Sequence, residues 1–79
     1  MSSATLGVII ANSRYQTNPD DAYSFLKGYF AKHSGGKLFE TLLSQVKSSS
    51  DLPIFFNNTE MQKFINFGQA MFRSTDGGF

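Results

Sequence analysis

Apolar residues recur at helical spacing along most of this chain. Ala22, Phe25, Leu26, Tyr29 and Phe30 follow the i, i+3, i+4, i+7 register that places side chains on one face of an α-helix. Asn18 stands at a capping position before Pro19, which suits the first helical residue, and Asp20 and Asp21 face the positive end of the helix dipole. Lys32 and His33 fall in the last turn, where positive charge is favoured, and Gly35 is placed to take a left-handed conformation after the helix. A helix is therefore predicted over residues 19–33.

A second helix is predicted over 37–47, with Leu38, Phe39, Leu42, Leu43 and Val46 as its apolar face. The short Gly35-Gly36 connection predicts that these two helices fold back on each other as a hairpin. A third helix is predicted over 60–73. Thr59 is placed to cap it, and Gln62 three residues later completes a capping-box pattern. Met61, Phe64, Ile65, Gly68, Met71 and Phe72 form one broad stripe, with Phe67 on its flank. Glycine inside a helix costs about 1 kcal/mol relative to alanine, and a close helix crossing at Gly68 would account for it.

Three stretches are less regular. Residues 4–12 carry Leu6, Ile9 and Ile10 at helical spacing but are also rich in β-branched side chains. Helix is the preferred assignment because the rest of the chain is helical; the alternative is a strand pairing with 52–56 or with another subunit. Leu52-Pro53-Ile54-Phe55-Phe56 is predicted as an extended apolar tether, because a proline disfavours helical geometry in the residue before it. Ser48 to Asp51 is a polar break, and residues 74–79 are predicted to be a flexible tail. The expected architecture is one mainly α domain over residues 1–79: a small bundle of three to four helices with a tether.

Composition narrows the means of stabilisation. Nine Phe, three Tyr and three Met stand among 79 residues without any Cys, so no disulfide or thiolate metal site braces the fold. A chain this short buries only roughly 60–65% of its unfolded surface. Aromatic rings bury on the order of 150–250 Å² each, so packing of rings, or burial against another chain, must supply the stability. Net charge is +1, from seven basic and six acidic residues. Such a balance implies neither a polyanionic partner nor an acidic substrate. No stretch approaches the roughly 20 apolar residues of a membrane span. The apolar run from Ala4 to Ala11 lacks the preceding basic residues of a signal segment. An intracellular, cytoplasmic protein or a member of a soluble assembly is expected.

Catalytic chemistry is thinly supplied. His33 and the adjacent Ser34 offer a base and a hydroxyl, but neighbours at a helix end point apart. Asp20 and Asp21 lack further ligands at calcium-loop spacing. His33-Ser34-Gly35-Gly36-Lys37 has the glycines and lysine of a phosphate loop without its spacing or its leading strand. No metal, cofactor or catalytic residue is assigned. Asn57-Asn58-Thr59 forms a glycosylation sequon, which matters only in a secretory compartment; otherwise it is a helix start.

Two functions fit what remains. The first is a non-enzymatic protein-interaction module: a helical subunit of a larger assembly, or a small inhibitor or adaptor. It would dock through apolar rings in excess of what the fold can enclose. The surplus is Tyr15, Tyr23, Phe39, Phe55, Phe67, Met71 and Phe79, and the predicted anchors are Tyr23, Phe39, Phe67 and Met71. The alternative is a small nucleic-acid-binding protein that uses Lys27, Lys32 and Lys37 around a helix pair resembling a helix-turn-helix.

Overall fold

The computed structural model of the chain describes residues 3–74, with side chains as far as Met71. Five α-helices follow one another: α1 Ser3–Tyr15, α2 Pro19–Lys32, α3 Lys37–Ser44, α4 Leu52–Phe56 and α5 Thr59–Ser74. A 3-10 turn, Ser49–Asp51, precedes α4, and no strand occurs among the described residues. The chain is mainly α as expected, with five helices among the described residues where three or four were predicted.

The N-terminal segment is helical and runs to Tyr15, past the predicted end near residue 12. It turns into α2 through Arg14, whose carbonyl accepts from the backbone N–H of Thr17 and of Asn18 at 3.0 and 2.7 Å. Asn18 adopts an extended conformation and its Oδ1 accepts from the Asp21 N–H at 3.2 Å, the capping role its position predicts. The Arg14 guanidinium sits 4.6 Å from the Phe25 ring centre and 3.5 Å from Asp21 Oδ2. Both Arg14 and Asp21 are about half exposed, so this ion pair adds little.

The most closely packed helix pair is α1 with α2; the predicted fold-back of residues 19–33 on 37–47 is looser and runs antiparallel through side chains, with Phe30 against Phe39 at 5.6 Å and Lys27 on the Leu43 carbonyl. Small residues bring α1 and α2 together. Val8, Ala11, Ala22 and Leu26 are fully buried, and Gly7 admits the ring of Tyr29. A methyl group at Gly7 would lie 2.6 Å from Tyr29 Cδ1. The Tyr29 hydroxyl donates to the Ser3 carbonyl at 2.6 Å, which ties down the first turn of α1. On another side of α1, α5 crosses at Gly68, where an added methyl would stand 2.7 Å from Thr5 Cγ2 and would also collide with Ile9. The close crossing expected from Gly68 is present.

The join between α2 and α3 departs from expectation. The positive-φ residue is Gly36, at +90°, and not Gly35. His33 ends α2 in an extended conformation, with its N–H on the Tyr29 carbonyl. Gly35 is required for space: its added methyl would lie 2.7 Å from Phe39 Cβ. α3 stops at Ser44, short of the predicted residue 47, and side chains of α2 reach one carbonyl in its last turn and one beyond its end. Lys27 Nζ donates to the Leu43 carbonyl at 3.1 Å, and the Tyr23 hydroxyl donates to the Lys47 carbonyl at 3.0 Å. The negative end of the helix dipole favours such donors and cations, and the Leu43 carbonyl also accepts from the Val46 N–H at 3.1 Å.

Residues 52–56 are a helix, which corrects the predicted extended tether. Leu52, Phe55 and Phe56 stand at i, i+3 and i+4 and are all buried, whereas Ile54 is 41% exposed. Pro53 lies in the first turn, where its missing N–H leaves no bond unmade. Leu52 is helical although a proline follows it, at φ −55° and ψ −32°. Burial of its whole side chain outweighs the local preference. The polar break is closed into a turn: the Asp51 carboxylate accepts from the Lys47 N–H and the Asp51 N–H donates to the Ser48 carbonyl, both at 3.0 Å.

Asn58, not Thr59, caps α5. Its Oδ1 accepts from the Met61 N–H at 3.1 Å, and Thr59 is the first helical residue. The Gln62 side-chain amide reaches back to the Phe56 carbonyl, which stitches α5 to the end of α4. Phe55, Phe56, Leu26, Leu52 and Met61 are the largest fully enclosed side chains. Tyr15 covers them from α1, its ring stacked on Phe56 at 4.8 Å. Ser74 ends α5. The rest of the predicted tail, with Phe79, and the side chain of Phe72 lie outside the described residues.

Candidate interaction surface

α5 carries two apolar stripes. Met61, Ile65 and Gly68, spaced by four and three residues, face the core. Phe64, Phe67 and Met71, spaced by three and four, form a second line turned by about one residue, or roughly 100°, around the helix. This outer line remains accessible: Phe67 is 61% exposed, and Phe64 and Met71 are 38% exposed each. Its inner edge touches the core through Phe64, whose ring meets the Phe39 ring edge-on at 5.2 Å. Glu60, Lys63, Phe64 and Phe67 border an open depression of about 260 Å³. Glu60 and Lys63 neutralise each other at 3.2 Å, and residues 64–71 include no charged side chain.

The four predicted anchors do not form one site. Phe67 and Met71 lie together on the outer stripe. Tyr23 is half-buried, holds the Lys47 carbonyl and lies beneath Lys27, whose Nζ is 5.5 Å from its ring centre. Phe39 is a correction: it is 3% exposed and belongs to the core. Phe55, also counted among the surplus, is fully buried. Phe64, placed in the broad stripe of the last predicted helix and left out of the surplus rings, is the exposed residue that was missed. The three-and-four spacing of Phe64, Phe67 and Met71 was the available signal, hidden because the adjacent inner stripe merges with it.

The lysines behind the nucleic-acid alternative are also divided. Lys27 is half-buried and committed to the Leu43 carbonyl, while Lys32 and Lys37 are exposed on either side of the 33–36 loop. His33 stacks on Tyr29 at 4.4 Å between ring centres, and Ser34 Oγ accepts from the Gly36 N–H at 3.4 Å. Both border a small cleft of about 40 Å³ together with Glu40, which leaves space for a water or two. Neither a hydrogen bond nor an ion pair joins His33 to Ser34 or Glu40. Among the described residues no group of three or more His, Asp or Glu is placed to hold a metal, and no helix is long and apolar enough to cross a membrane.

Comparison with known proteins adds no assignment: no family model, no curated protein and no solved structure matches the chain.

Proposed function

We propose that this chain is a non-enzymatic interaction module that docks on other protein through the outer stripe of α5. The observation that supports this is the exposure of Phe67, Phe64 and Met71 in one uncharged line on a regular helix. Aromatic and methionine side chains of this kind are enriched at the centres of interfaces. Held on a helix, they lose little further freedom on binding.

The size of the stripe limits its strength. Taking about 200 Å² for each side chain, the three expose on the order of 250–300 Å². Two copies joined there alone would bury roughly 600 Å², below the ~1,200 Å² of a stable interface. The stripe therefore acts as the hydrophobic centre of a larger contact, or supports a weak and reversible one. The first case corresponds to a subunit of an assembly, the second to an adaptor or inhibitor.

Sedimentation over a concentration series, with an apolar dye such as 1-anilinonaphthalene-8-sulfonate, tests the proposal. The parent chain is expected to associate or to bind dye, and Phe67→Ser to do neither. A parent chain that sediments as a sharp monomer at high concentration and binds no dye would overturn it.

A further inference from the structure

We infer that the loop joining α2 to α3 sets the shape of the α5 stripe, with Phe39 as the positioning residue that transmits the effect. This rests on the docking function proposed above and concerns the regulation of that same surface. Phe64 is the stripe's inner member, and its support is Phe39, at 5.2 Å and an interplanar angle of 67°. An edge-to-face pair has a preferred mutual tilt, so the orientation of one ring biases the other.

Phe39 is held in turn from the loop. A methyl group on Gly35 would lie 2.6 Å from Phe39 Cγ and 2.7 Å from its Cβ. These atoms are the root of the side chain, so rotation of the far end does not relieve the clash. The same turn carries Gly36 at φ +90°, whose carbonyl accepts from the Glu40 N–H at 3.0 Å. Loop and first turn of α3 therefore shift together. The 40 Å³ cleft beside the ring, bordered by Phe30, Ser34 and Leu43, gives Phe39 somewhere to move. A shift withdraws the ring on which Phe64 rests. His33, Ser34 and Gly36 are exposed, so contact with the loop from outside reaches the stripe by this route.

The test uses the full chain with 4-fluorophenylalanine at position 64 or, separately, at 67, read by fluorine NMR. In Gly35→Ala the resonance at 64 is expected to move while that at 67 stays. Gly36→Ala, strained at φ +90° but with nothing within 4 Å of the added methyl, perturbs the loop while leaving the Phe39 ring in place; it is expected to do the same and serves if Gly35→Ala does not fold. Dye binding to the stripe is expected to change by about twofold or more, the lower end of measured couplings through packed side chains. A resonance at 64 that does not move in either folded variant overturns the inference, whatever Phe67→Ser does. If it moves but Phe67→Ser associates and binds dye like the parent, the coupling stands and the docking proposal falls.

Discussion

Gly68 of α5 packs so closely on Thr5 of α1 that a single added methyl would stand 2.7 Å from Thr5 Cγ2. Gly68→Val is therefore expected to destabilise the fold by about 2–3 kcal/mol through overpacking. Gly28, in α2, has nothing within 4 Å of an added methyl. Gly28→Ala is expected to stabilise by about 0.5–1 kcal/mol through helix propensity alone. Urea midpoints of the two variants, moving in opposite directions at similar slopes, check this.

The helical register of residues 52–56 makes Phe55 and Ile54 unequal. Phe55 is fully buried and Ile54 is 41% exposed. Phe55→Ala is expected to cost about 3–5 kcal/mol. A chain of this length holds roughly 4–12 kcal/mol in all, so that variant would sit near the limit of folding. Ile54→Ala is expected to cost under about 1 kcal/mol. The reverse ranking, a larger loss at Ile54 than at Phe55, would indicate the extended tether, in which alternate residues share a side and Ile54 lies inward with Phe56.

Capping separates two neighbours. Asn58→Ala removes the acceptor for the Met61 N–H and is expected to cost about 1 kcal/mol. Thr59→Ala is expected to change stability by less than about 0.5 kcal/mol. Thermal melts of the two variants side by side decide which residue starts α5.

On the stripe, stability and association should part company. Phe67→Ser removes a side chain that is 61% exposed, so its unfolding free energy is expected to stay within about 0.5 kcal/mol of the parent. Phe64→Ser loses the Phe39 contact as well and is expected to cost about 1 kcal/mol more. Denaturant curves beside sedimentation profiles measure both quantities on the same samples.

The sequence carried the helices wherever a cap and a period agreed. Asn18 with Pro19, and the close crossing at Gly68, were legible because local chemistry and tertiary packing ask for the same thing there. Leu52 was misjudged because the residue before a proline is biased away from the helix, and burial of Leu52, Phe55 and Phe56 together overrides that bias. The Gly35–Gly36 pair was read one residue off, since a sequence does not say which glycine turns the chain and which makes room for Phe39. The surface was half legible. Phe67 and Met71 were singled out, but telling Phe39 from Phe64 requires knowing which helix lies against α3, and apolar spacing within one helix does not contain that.

Each of the three tyrosines sits at a different joint: Tyr15 on Phe56, Tyr23 on the Lys47 carbonyl and Tyr29 over Gly7. The chain has no tryptophan to mask them. At the long-wavelength side of its near-ultraviolet spectrum, beyond the absorption of its nine phenylalanines, the signal is thus a sum of three local reporters, and single Tyr→Phe replacements would resolve the order in which the seams of the molecule come apart.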